Sequence, residues 1–138
     1  MQFSVSLLAL AASFAMALPS AEPVAAPEEH TIQKRGCHSS GVTWGGEKAY
    51  AYEMAFQACK RLVGTFVKNE VRYECRDLSN KKKADFSLVY IGSAQSRNID
   101  LAECYDGMAK EIGGCDRGGA TSYSNWHYSA DPNDGQCF

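Results

Sequence analysis

The sequence lacks several features that would point to a common function. It has no Cys-x-x-Cys pair, so its cysteines do not form a typical zinc site. It has no Gly-x-Ser-x-Gly, no phosphate-binding P-loop and no His-Glu-x-x-His, so it carries no familiar catalytic motif. No Asn-x-Ser/Thr sequon occurs, so N-glycosylation is not expected. We therefore expect no metal, no cofactor and no enzymatic activity.

The chain also lacks an excess of charge of either sign. Its 14 Lys and Arg oppose 16 Asp and Glu, which gives a net charge of −2. This balance argues against a nucleic-acid partner bound through a broad basic field. Three consecutive lysines at residues 81–83 are a local exception, and the polar residues before them predict an exposed hairpin turn.

The first 35 residues have the features of segments that are removed during secretion. Residues 1–17 predict a signal peptide, because an apolar run too short to span a membrane precedes a small-x-small cleavage pattern. Residues 18–35 predict a pro-segment, since they are rich in proline and alanine and contain little that could pack a core. This segment ends in Lys34-Arg35, which has the form of a dibasic processing site. The mature protein is thus expected to be a secreted, extracellular domain of residues 36–138.

All the cysteines lie in this expected mature domain. An even number of cysteines in a small secreted domain predicts three disulfides, which stabilise the fold by restricting the unfolded chain. The sequence does not choose among the pairings. The six residues are Cys37, Cys59, Cys75, Cys104, Cys115 and Cys137.

Hydrophobic periodicity predicts two helices. Residues 46–63 carry an apolar stripe at helical spacing, and Gly64 can end this helix. Residues 98–112 carry a second stripe, with Asn98 as the expected N-cap and a Gly-Gly pair after the helix end. Both stripes are expected to pack on a sheet.

Alternating residues predict the strands of that sheet. Residues 70–77 place Val71, Tyr73 and Cys75 on one face and charged residues on the other, which predicts a half-buried strand with a solvated charged face. Residues 85–91 are apolar on both faces and predict a more central strand. The fold class is α+β: an antiparallel sheet of about four to five strands with two helices packed on it, αβα-sandwich-like. Further strands are expected at residues 42–44, 65–67 and 120–128.

The C-terminal tail combines aromatic rings with fixed hydrogen-bonding groups, a mixture that suits a sugar. A continuous strand puts Tyr123, Asn125 and His127 on one face and Trp126 and Tyr128 on the other, and alternation leaves open which face is exposed. The next segment has the composition of a turn, which either delivers a cysteine to its partner or offers polar groups to sugar hydroxyls. The predicted glycan-binding residues are Tyr123, Asn125, Trp126, His127, Tyr128, Asp131, Asn133 and Asp134.

A small secreted ribonuclease is an alternative. Glu74, Arg76 and His127 on neighbouring strands would be the acid–base and phosphorane-stabilising groups. Alternating Glu and Arg is, however, ordinary on a solvated strand face. We therefore expect no catalytic residues.

Several motifs resemble a known family. They are the Gly-rich opening at residues 40–46, the helix that reaches Cys59, and a tail in which a Gly-Gly-Cys precedes Tyr-Ser-Asn-Trp and Asp-Pro-Asn-Asp-Gly before Cys137. With the predicted signal and pro-segment, they resemble the small secreted cysteine-rich fungal proteins of the ink-cap mushroom glycan-binding lectin family. The resemblance implies an α/β sandwich that binds N-acetylhexosamine- or fucose-containing glycans, without metal or catalysis, and it fits a homodimer through a sheet edge.

The expected partners are therefore glycans or glycoproteins, with no nucleic acid and no membrane span. The alternative class is a secreted effector or killer-toxin-like protein that acts on a host or a competitor. Related small fungal folds carry both roles, and a fold alone does not decide function.

Overall fold

The structure is a computed structural model that describes residues 36–138. The predicted signal peptide, the pro-segment and the dibasic pair Lys34-Arg35 lie outside the described residues. Within this range, no helix has the length and apolar character needed to cross a membrane. The elements in chain order are a 3₁₀ helix Gly45–Glu47, α1 Lys48–Leu62, β1 Gly64–Val67, β2 Val71–Asp77, β3 Lys82–Tyr90, β4 Ser96–Ile99, α2 Leu101–Gly114, β5 Gly119–Tyr123 and β6 Trp126–Asp134.

The strands form two antiparallel sheets. β1 pairs with β4, and the larger sheet has the order β2-β3-β6-β5. Both helices pack on the same face of the larger sheet, with α1 over β2 and β3 and α2 over β5 and β6. The predicted fold class is confirmed: two helices pack on an antiparallel sheet in a domain with three disulfides.

No helix of the described range covers the other face of the larger sheet, which we call the open face. The side chains of this face alternate along each strand with those that pack against the helices. The open face consists of Val71, Tyr73, Cys75, Asp77, Lys83, Asp85, Ser87, Val89, Ala120, Ser122, His127, Ser129, Asp131 and Asn133.

The core lies between the helices and the covered face of the sheet. Trp126 is fully buried, and its ring centroid lies 5.1 Å from those of both Phe66 and Tyr90. The indole nitrogen of Trp126 donates to Glu103 Oε1 at 3.1 Å, which satisfies the one polar atom of the ring. Burial of these large rings supplies much of the hydrophobic stabilisation of the domain.

Three disulfides connect elements that are far apart in the chain. One joins α1 to α2, one fixes the segment before α1 to the end of α2, and one fixes the chain end to β2. Their half-cystines are 45, 78 and 62 residues apart, and loops of this length typically give about 2–4 kcal/mol of stabilisation each. The prediction of three disulfides is confirmed, with the pairs Cys59–Cys104, Cys37–Cys115 and Cys75–Cys137.

Two expectations about the shorter elements are wrong. Residues 42–44 form no strand; the ring of Trp44 is buried instead, and its indole nitrogen donates to the carbonyl of Cys115 at 3.0 Å. Asn98 belongs to β4 and does not cap α2. The cap is Asp100, whose extended backbone allows its carboxylate to accept from the backbone N–H of Glu103 at 2.8 Å.

The predicted last strand and the turn after it also differ from the structure. β5 ends at Tyr123, Ser124 and Asn125 form a turn, and β6 begins at Trp126. Residues 131–134 are therefore strand, paired with residues 82–85 of β3. Pro132 is tolerated there because β5 pairs with β6 only as far as residue 130, so the missing N–H interrupts no pairing with β5.

β2 has the opposite orientation to the expected one. Val71 and Tyr73 lie on the open face and are 61% and 57% exposed, whereas Arg72, Glu74 and Arg76 lie on the helix side. Arg72 explains this orientation: its guanidinium donates to the carbonyl of Leu62 at the end of α1 and lies 3.9 Å from the ring centroid of Phe66. These contacts use the charge and the planar face of the arginine.

A buried glutamate holds the turn between β2 and β3. Asn80 and Lys81 both have a φ of 57°, and Glu47 accepts hydrogen bonds from the backbone N–H of Ser79 at 3.0 Å and from Asn80 Nδ2 at 3.1 Å. The Ser79 hydroxyl also donates to this carboxylate. These bonds, with that of the Ser79 hydroxyl the largest cause, hold the pKa of Glu47 below its ordinary value of 4.5, although burial acts in the opposite direction.

We predict that Glu47→Gln lowers the melting temperature at neutral pH. Because the pKa of Glu47 is lower in the folded state, its stabilisation is complete above the ordinary glutamate value of 4.5 and is lost as the pH falls through the lowered value. The gap in melting temperature between wild type and variant should therefore close on acidification. Glu53→Gln, at an exposed glutamate of α1, is the control and should show no gap. A gap that is constant between pH 3 and pH 7 would contradict the assignment.

We also predict that Gly107→Ala destabilises the domain. A Cβ at this position would lie 2.2 Å from the buried ring of Tyr128, so α2 and β6 would have to move apart. The expected cost is about 1–3 kcal/mol by denaturant unfolding, which exceeds the gain in helix propensity. Gly46→Ala is the matched control, because a Cβ there meets nothing within 4 Å. Equal stability of the two variants would show that α2 is less tightly packed than the structure indicates.

Candidate functional site

The open face aligns side chains from four strands in rows that cross the sheet. The apolar side chains of Val71, Tyr73 and Val89 lie toward one end of the face, and the charged side chains lie toward the other. The rows, from that end, are Val71, Val89, His127 and Ser122; then Tyr73, Ser87, Ser129 and Ala120; then Cys75, Asp85 and Asp131; then Asp77, Lys83 and Asn133.

Asp85 is the centre of a hydrogen-bonded network on this face. The hydroxyl of Tyr73 donates to Asp85 Oδ1, and Asn133 Nδ2 donates to Asp85 Oδ2 at 2.7 Å. The same amide nitrogen lies 3.1 Å from Asp131 Oδ2. The network therefore holds one phenol, one amide and two carboxylates in fixed positions relative to one another.

Two basic side chains flank the carboxylates of this network. Lys83 Nζ is 3.6 Å from Asp85 Oδ2, and His38 Nε2 is 3.9 Å from Asp131 Oδ1. The lysine charge offsets that of Asp85, whereas Asp131 and Asp77 leave the face acidic. Its carboxylates can accept hydrogen bonds from a neutral polar ligand and would repel an anion.

Tyr73 combines a fixed hydroxyl with an exposed ring. Its hydrogen bond to Asp85 is the main cause that raises the pKa of Tyr73 to about 12, so the phenol stays protonated at neutral pH. Tyr73 is 57% exposed and lies beside Val71, which is 61% exposed. An apolar patch therefore borders the polar network directly.

The structure places three of the eight predicted site residues on the open face: Asp131 and Asn133 in the network, and His127 at the other end of the face. His127 Nδ1 is 2.9 Å from Ser122 Oγ. Trp126 and Tyr128 are instead 0% and 3% exposed on the covered face, so their rings offer no surface for a sugar to stack on.

The other three predicted residues lie away from the network. Tyr123 packs against the core on the covered side, with its ring centroid 6.1 Å from that of Tyr128. Asn125 is in the turn before β6, where its carbonyl accepts from the N–H of Ile91 at 2.8 Å. Asp134 is exposed at the end of β6, opposite Lys82.

Sequence reasoning missed Tyr73, Asp85 and Ser87. A usable signal was present in β3, where the apolar residues at 84, 86, 88 and 90 alternate with the polar residues at 83, 85 and 87. The alternation of β2 was recognised, but its apolar face was expected to be buried.

The residues of the ribonuclease alternative are not brought together. Arg76 Nη2 forms an ion pair with Glu74 Oε2 at 3.0 Å on the covered side of the sheet, whereas His127 lies on the open face. The sheet separates the histidine from the other two groups. These three residues therefore cannot act together as acid and base on the same bond.

A separate cavity of about 280 Å³ is lined by Thr43, Gly45, Lys48 and Asp116. The ammonium of Lys48 and the carboxylate of Asp116 pair with each other at 3.0 Å, so the charged groups of this cavity satisfy each other. None of these residues lies on the open face. In residues 36–138, no group of three or more His, Cys, Asp or Glu side chains is arranged to hold a metal ion.

The fold and the open face define a small disulfide-bonded α+β domain with an exposed surface of polar and apolar side chains. Residues 51–137 match the family glycan binding domain Y3. Within the described residues, the match covers the six strands, all of α2 and most of α1. The chain belongs to this family and has a carbohydrate-binding role, as the resemblance implied. No curated protein matches the chain.

Proposed function

We propose that the protein is a secreted, non-enzymatic lectin that binds glycans on its open face. The observation that carries this proposal is the network of Tyr73, Asp85, Asn133 and Asp131 beside an exposed apolar patch. A pyranose has the same two characters, with C–H groups on one face of its ring and hydroxyls at its rim. The open face offers a matching surface for each.

Each part of the network has a role in this proposal. The ring of Tyr73 packs against sugar C–H groups, because aromatic faces suit partly apolar partners. Asp85 and Asp131 accept from sugar hydroxyls through lone pairs that their present partners leave available. His127 and Ser129, at the apolar end and the middle of the face, extend the contact surface to a second sugar unit.

We predict that Tyr73→Ala and Asn133→Ala each weaken glycan binding about tenfold or more, which corresponds to about 1.4 kcal/mol. The first removes the ring, and the second removes the amide that joins the two carboxylates. A glycan array containing N-acetylhexosamine and fucose structures identifies the ligand for wild type. Calorimetry with that ligand then measures the variants.

Tyr50→Ala is the matched control, because Tyr50 is 41% exposed on α1, on the other layer of the domain. Normal binding by both open-face variants would place the glycan site elsewhere, and failure of wild type to bind any glycan would exclude the function.

The molecular mass in solution is measured on the same samples to determine the oligomeric state. A homodimer through the outer edge of β2, which we include in the proposal, would raise apparent affinity by avidity.

We also propose that the protein is exported and cleaved after Arg35. Three disulfides and no free cysteine in the described domain support an oxidising compartment. N-terminal sequencing of the protein recovered from culture medium should begin at Gly36. A first residue upstream of Gly36 would show that the dibasic pair is not used.

A further inference from the structure

The segment that begins at Gly36 is held against the edge of β5. The N–H of Ala120 donates to the carbonyl of Gly36 at 2.9 Å, and the N–H of His38 donates to the carbonyl of Gly118 at 2.9 Å. The disulfide of Cys37 fixes the same segment to the residue after α2. A Cβ on Gly36 would lie 2.0 Å from the oxygen of Ala120, so this approach needs glycine. The position of the Gly36 nitrogen is therefore well defined.

A single hydroxyl group connects the Gly36 nitrogen to a buried carboxylate by hydrogen bonds. It donates to Thr121 Oγ1 at 3.1 Å, and that hydroxyl donates to Glu111 Oε2 at 3.1 Å. Thr121 is 4% exposed and Glu111 is 1% exposed. A carboxylate in such a position carries a large desolvation cost, which nearby positive charge reduces.

Cleavage at the dibasic pair changes the chemistry of this nitrogen. When the bond between Arg35 and Gly36 is hydrolysed, the oxygen of water adds to the Arg35 carbonyl carbon and the C–N bond breaks. Arg35 leaves as a carboxylate, and the nitrogen takes up protons to become an α-ammonium. A neutral amide with one donor is replaced by a cation with three donors, and hydrogen bonds with charged groups are roughly twice as strong as neutral ones.

We propose that Thr121 and Glu111 form a binding site for the α-ammonium of Gly36, so that removal of the pro-segment stabilises the mature domain. This inference rests on the proposed cleavage after Arg35. It assigns a role to a buried threonine and a buried glutamate that lie on the covered side of the sheet, away from the glycan-binding surface. The site is specific for glycine, because a larger first residue would contact the backbone of β5.

The test compares cut and uncut forms of the full secreted chain. Residues 30–35 are replaced by the recognition sequence of a protease that leaves an N-terminal glycine, so the cut does not depend on native processing. Cutting should raise the melting temperature of wild type by about 4 °C or more. The rise should disappear in Glu111→Gln and shrink in Thr121→Val. It should persist in Asp106→Asn, which removes an exposed carboxylate of α2.

A chemical control covers the case in which Glu111→Gln does not fold. Acetylation of the Gly36 amine in cut wild type removes the charge and should return the melting temperature to the uncut value. Equal melting temperatures before and after cutting, or a rise that survives acetylation or Glu111→Gln, would overturn the proposal. N-terminal sequencing reports native processing independently, and the glycan array reports binding, so each of the three proposals can fail separately.

Discussion

The burial of Trp126 on the covered face is the constraint on which the rest of the structure depends. Its ring contacts Phe66 and Tyr90, and Gly107 allows α2 to approach so closely that only hydrogen fits against Tyr128. Trp126 and Tyr128 of β6 point toward the helices. Because side chains alternate along a strand, the intervening and following residues 127, 129, 131 and 133 lie on the open face. The polar open face is thus a consequence of where the aromatic residues of β6 are buried.

Periodicity predicted both helices and the central strand, because these elements follow one period over many residues. It failed in the tail, where a single strand was expected from residue 120 to 128. Ser124 and Asn125 form a turn there, with Ser124 at a φ of 52°. A two-residue turn places Tyr123 and Trp126 opposite each other on the same face, whereas a continuous strand places them on opposite faces. The alternation of residues along the chain does not reveal this turn, because neither of its two residues is glycine or proline.

β2 shows a second limit of sequence patterns. Alternation indicates which residues share a face, but tertiary contacts decide which face is covered. On an edge strand, long arginine side chains can pack along the helix side while their guanidinium groups reach backbone carbonyls, and Arg72 does so at the end of α1. The same arrangement leaves Val71 and Tyr73 exposed, so the feature that misled the prediction also creates the apolar part of the candidate site.

The pairing of polar groups within the open face does not argue against a ligand there. Asp85 accepts from Tyr73 through one oxygen and from Asn133 through the other, yet an ionised carboxylate has about four acceptor positions. Because the Tyr73 hydroxyl is engaged by Asp85, the orientation of its ring is fixed before any ligand arrives. Side chains that are already ordered lose little entropy on binding, which lowers one of the costs of association. A network that is internally bonded but not saturated is therefore better suited to bind a sugar than the same residues unpaired.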